Sequence, residues 1–126
     1  MIEEQFVSFD TAQMLKEAGF DVPVYKHYTK TGAIWTSAMP EKHNDKMDYM
    51  CFPCPTQALA ARWLREAYHY AVCVWFSKDH EKWFYAHGNM DNIVFDTDYC
   101  ISEYIYDSYE EGLEAGLQEA VKLIKK

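Results

Sequence analysis

Two cysteines separated by two residues, Cys51-Phe52-Pro53-Cys54, are the first residues of this chain whose types and spacing could do chemistry. A C-x-x-C at a helix N-terminus lowers a thiol pKa and suits disulfide exchange, and two thiolates can supply half of a zinc site. Both readings need more than the pair. The redox motif belongs after a strand of a βαβ unit, whereas here a polar stretch precedes it. A zinc site needs a second pair at comparable spacing, and Cys73 and Cys100 stand alone. Cys51 and Cys54 therefore read as structural thiols. They remain the metal candidates to test, and no cofactor is expected.

The other chemistry-bearing residues assemble less well. The histidines (His27, His43, His69, His80 and His87) include no H-x-x-x-H pair and none beside a cysteine at zinc-finger spacing. His27 and His87 fall on stretches that read as strands, where neighbours could share a site. Asp91, Asp96 and Asp98 crowd around Asn89, Asn92 and Thr97, but Asp96-Thr97-Asp98 lacks the glycine and closing glutamate of a calcium loop. No G-x-S-x-G elbow is present, and the 5 glycines are too scattered for a phosphate-cradling loop. No catalytic residue is assigned, so the reading leans away from an enzyme, and an enzyme of unknown type is kept as the last alternative.

Charge narrows the partners. The chain carries 12 basic residues against 20 acidic ones, a net charge of −8. Nucleic-acid affinity rests on Lys and Arg displacing counterions, and anionic lipid makes the same demand. Neither partner is expected. No apolar stretch approaches the ~20 residues of a membrane span. Met1-Ile2-Glu3-Glu4 is acidic where a secretory signal is basic, so a cytoplasmic location and reduced thiols are expected.

The positioning elements read as follows. Residues 8–18 form a helix capped by Ser8, with Gly19 and Phe20 closing its end. Residues 55–67 form a second, with Pro55 in its first turn. The third opens on a capping box, Ser108-Tyr109-Glu110-Glu111, and carries Leu113, Leu117, Ala120 and Ile124 at helical spacing. Strands are expected at 24–29 and 33–37 around the turn Thr29-Lys30-Thr31-Gly32, and at 70–77 and 82–87 around Lys78-Asp79-His80-Glu81. A fifth lies within 99–106, a short one is suggested at 93–95, and 38–54 reads as a loop. The 126 residues suit one domain, residues 1–126, of the α+β class. The expected architecture is one antiparallel sheet of about five strands with three helices mainly on one face, in the order α-β-β-α-β-β-β-α.

Aromatic residues make up 17 % of the chain, and they concentrate in one hairpin. Val74, Trp75, Phe76, Trp83, Phe84 and Tyr85 leave both of its faces apolar, and helices can cover only one. The other must meet a second subunit, a ligand or the 38–54 loop. These six residues are the candidate interface or ligand face, and a homodimer is expected.

Three stretches carry a resemblance. They run through residues 6–21 (with Ser8, Ala12, Leu15 and Lys16), 55–66 (with Pro55-Thr56-Gln57-Ala58) and 106–117 (with Tyr109-Glu110-Glu111 and Leu113-Glu114-Ala115-Gly116-Leu117). The chain resembles a group of small uncharacterised proteins carried by phages and prophages of gut anaerobes. The shared pattern covers the helices and excludes Cys51 and Cys54; Gly112 stands where the group has alanine. The resemblance implies a mobile-element setting and no activity.

The expectation is thus a non-enzymatic interaction module, with a host protein among its partners. The alternatives are a binder that sequesters a nucleotide signal, using aromatics and cations such as Lys26, Lys82, Arg62 or Arg65, and an acidic inhibitor of a host nucleic-acid enzyme.

Overall fold

A computed structural model describes residues 2–45, 47–92 and 100–124. The elements are α1 (Phe9–Glu17), β1 (Val24–Thr29), β2 (Ile34–Glu41), β3 (Cys51–Pro53), α2 (Gln57–Tyr68), β4 (Tyr70–Ser77), β5 (Lys82–Asn89), β6 (Cys100–Ile101) and α3 (Tyr109–Ile124), with a 3-10 turn at Met90–Asn92. The class is α+β and the expected order is present, with the three-residue β3 added. The suggested strand at 93–95 and the acidic pair Asp96 and Asp98 lie outside the described residues.

The helix ends follow local chemistry. Ser8 caps α1 by accepting from the Thr11 N–H, and Gly19 takes a left-handed φ of 93° as the chain leaves the helix. Thr56, not Pro55, opens α2: its side chain accepts from the Leu59 N–H, while Pro55 lies buried one residue earlier with its carbonyl bonded to the Val7 N–H. In α3 the Ser108 hydroxyl oxygen accepts from the Glu111 N–H at 3.1 Å. The Glu111 carboxylate reaches back to the Asp107 N–H at 3.2 Å, one residue before the serine.

One expectation is overturned. The strands form two antiparallel sheets, ordered β2-β1-β3 and β4-β5-β6, instead of one. The cause lies in residues 38–54. The stretch is loop only in its middle: residues 38–41 extend β2, and Cys51–Pro53 pairs with β1 through His27↔Pro53, Tyr28↔Phe52 and Thr29↔Cys51. β3 thereby occupies the edge of β1 that a continuous sheet would have offered to the second hairpin. The helices do not share one sheet face either. α1 packs on β3, α2 packs on β4, α3 packs on β4 and β5, and α1 and α3 pack on each other, so α1 and α3 lie between the sheets.

One apolar cluster joins these layers, with Leu15, Phe20, Trp63, Leu64, Leu117 and Val121 among its members. α3 approaches the second sheet through glycine. A Cβ at Gly116 would lie 2.8 Å from Val72 Cγ1, and one at Gly112 would lie 3.2 Å from Val74 Cγ1. The missing side chains set the distance between helix and sheet. Gly112 thereby has a physical role in this packing.

Candidate functional site

The aromatic hairpin has two unlike faces. Register pairs Val72 with His87, Val74 with Tyr85 and Phe76 with Trp83 on the side facing α3. Alternation places Cys73, Trp75, Phe84 and Ala86 on the other side. Of the six residues singled out from sequence, Trp75 and Phe84 therefore point outward. Val74, Trp83 and Tyr85 face the helix, and Phe76 lies on that same side at the strand end.

The outward face continues beyond those two residues. Ile101 of β6 is opposite Ala86, which puts it on this face, and it is exposed. Trp75 and Phe84 lie 5.9 Å apart between ring centroids, and Tyr104 meets Phe84 edge-on at 4.8 Å. His80 stacks on Tyr104 at 4.3 Å and is held from behind by the Ser77 hydroxyl, 2.8 Å from its Nδ1. Tyr104 and Ile101 were missed by the sequence reading. The signal was the same period-2 alternation, blurred because the segment departs from regular pairing after Ile101 and rejoins β5 at Trp83↔Tyr106. The segment around Met47, Tyr49, Met50 and Phe52 does not cover this face; its strand β3 belongs to the first sheet.

The cysteine pair has the wrong electrostatics for a reactive thiol. Burial pushes the Cys51 and Cys54 thiols up, and Asp48 raises Cys51 further. Cys54 is enclosed beside Val7 and Tyr28. A reactive thiolate is favoured by a shift in the opposite direction. Among the described residues no group of three His, Cys, Asp or Glu side chains is arranged to hold a metal ion.

His27 and His87 lie on different sheets and share nothing. His87 is buried against the Tyr70 hydroxyl, 2.7 Å from its Nδ1, and burial lowers its pKa. His27 instead meets His43 at a ring separation of 4.9 Å. His27 Nδ1 and His43 Nε2 are both buried without a hydrogen-bond partner, and burial followed by the neighbouring His27 lowers the His43 pKa. Beside them Lys16, only 4 % exposed, donates to the Asp48 carbonyl and to the Cys51 carbonyl at 2.5 Å and lies over the Phe52 ring. This cation and the histidine pair pin the chain before β3.

Side chains from α1, its cap and α2 converge on Glu114 of α3. Its Oε2 accepts from the Ser8 N–H at 3.0 Å, from the Ser8 hydroxyl at 2.8 Å and from the Thr11 hydroxyl. Gln57 Nε2 donates to Oε1 at 3.0 Å and to the Glu110 carbonyl at the same distance. A cavity of about 500 Å³ opens beside this network, between Phe6, Tyr28, Gln57 and Glu111. The network ties α1, α2 and α3 together, and every named donor is engaged within the protein. The cations weighed for ligand binding are dispersed. Lys82 pairs with Asp107, Arg62 with Glu66 at 3.2 Å, Lys26 donates to the Thr36 hydroxyl, and Arg65 lines a separate cavity beside Val72 and Tyr109.

Among the described residues no helix is long and apolar enough to cross a membrane. No protein-family model, no curated protein and no solved structure matches the chain.

Proposed function

We propose that this chain is a non-catalytic interaction module of a mobile element. It acts in the cytoplasm as a homodimer, and the second sheet supplies its contact surface. One observation carries the reading: Trp75 is 52 % exposed on a sheet face where Phe84, Tyr104 and Ile101 extend the apolar surface. Contiguous apolar surface of this kind marks association sites on soluble proteins. Tryptophan and tyrosine are also the side chains that most often dominate binding energy.

The ligand-binding alternative gains less. The cavity beside Glu114 is lined by carboxylates and by donors already engaged, which suits no anionic nucleotide.

Light scattering coupled to size exclusion tests the reading. Wild-type protein should show twice the 14.8 kDa chain mass at micromolar concentration. Trp75→Lys should give the single-chain mass with an unchanged circular dichroism spectrum. A single-chain mass for the wild type would overturn the homodimer.

A further inference from the structure

We infer that the second copy joins along the edge of β4 at residues 73–77, extending the second sheet across a two-fold axis. The inference rests on the homodimer proposed above and names its seam.

Among the described residues the only strand that pairs with β4 is β5. The pairing is regular from Tyr70↔Asn89 to Ser77↔Lys82, so no bulge interrupts the strand. Long edges are normally blunted by a charge, a proline or a bulge. β4, with the sequence YAVCVWFS, has none of these.

The exposure pattern locates the missing neighbour. Trp75 and Phe76 point to opposite faces, yet they are 52 % and 49 % exposed. Covering either face alone would bury only one of them. A strand laid beside residues 73–77 would shield both.

Charge selects the occupant. The chain carries −8, so two copies repel each other over most of their surfaces. β4 carries no Asp, Glu, Lys, Arg or His, and antiparallel pairing with itself sets no like charges opposite one another. The same stretch of a second copy therefore fits where the rest of the molecule would resist approach.

Amide hydrogen exchange read by NMR, together with the mass measurement, tests the seam. In the dimer, alternate amides between Cys73 and Ser77 should be protected, and dilution to the monomer should release them. Cys73→Lys places a charge within the paired stretch and should give folded monomer; Phe76→Lys makes the same test if that variant fails to fold. Ala38→Lys, on β2, should leave the dimer intact. Added salt should strengthen association by screening the shared negative charge, whereas a basic heterologous partner would bind more weakly in salt. A dimer whose β4 amides exchange freely overturns the edge seam and leaves the homodimer standing. A wild-type monomer overturns the homodimer, and the seam with it.

Discussion

In the first sheet, β2 is held to β1 by the pairs Lys26↔Thr36, His27↔Trp35 and Tyr28↔Ile34. The register then shifts before Val24↔Glu41, so Ser37–Pro40 bulges out. In the second sheet, β4 and β5 match residue for residue over eight pairs. The difference follows from how each sheet is attached to the helices. The first is held by directed polar contacts: Lys16 on two carbonyls, and the Tyr28 hydroxyl donating to the Val7 carbonyl at 2.6 Å. Such contacts fix points and tolerate an irregular strand between them. The second is held by close approach of Gly112 and Gly116 to Val72, Val74 and Tyr85, which requires a regular surface. The requirement that keeps β4 regular also leaves it a clean edge, whereas the bulge and Pro40 of β2 blunt the other.

The largest break in this contrast should come from Lys16→Met. It removes two charge-assisted hydrogen bonds and leaves the Asp48 and Cys51 carbonyls without that partner, a loss of about 3 kcal/mol. Hydrogen exchange should speed up in β3 and residues 47–50 while β4 and β5 stay protected. Equal acceleration in both sheets would mean that the anchoring is not local.

Gly116→Ala attacks the other attachment. The new methyl meets Val72 and the Tyr85 ring, and overpacking should outweigh the gain in helix propensity, for a net loss of about 2 kcal/mol. Gly112→Ala, with more room, should be the milder change. Denaturant midpoints of the two variants decide it; a more stable Gly116→Ala would mean that the seam has slack.

Ser108→Ala removes the acceptor for the Glu111 N–H at the start of the helix that carries the second sheet. The loss should be about 1 kcal/mol. That corresponds to a fall of roughly 3–5 °C in melting temperature for a chain of this size.

Acid should act most gently, and on both sheets. His43 and His87 have pKa values lowered by burial, so the folded protein keeps them neutral while the unfolded chain takes up protons near the ordinary value of about 6.5. The unfolded state then binds more protons below that pH, and stability falls as pH drops. The contribution is complete above about 6.5 and is lost progressively from there down to the folded pKa values. Thermal melts between about pH 7.5 and 5.5 should show the decline. His43→Gln and His87→Gln should each flatten part of it. A flat wild-type profile would show that neither ring is held neutral.

Much of this arrangement was legible in the residues. Ser8, Gly19 and Ser108 mark helix ends because capping is local chemistry, and the turns Thr29-Lys30-Thr31-Gly32 and Lys78-Asp79-His80-Glu81 sit where glycine or a polar run interrupts apolar alternation. The two-sheet split was not legible, because it depends on β3, whose three residues are too few to show a period. Nothing in the sequence marked Lys16 for burial, which depends on carbonyls more than thirty positions away. The aromatic hairpin was found from composition, but dividing Trp75 and Phe84 from Val74, Trp83 and Tyr85 required knowing which side α3 takes.

The carboxylate of Glu114 accepts from a serine 106 positions earlier, so the cap of the first helix is completed by the last one. During synthesis α1 leaves the ribosome long before its partner, and short helices are marginal alone in water. The chain should therefore emerge with α1 and the first hairpin unfinished, and acquire lasting structure only when α3 follows. Contacts this distant in sequence also slow the final closure. A nascent chain arrested before Glu114 should remain sensitive to protease along its whole emerged length, and release of the full chain should bring resistance in a single step.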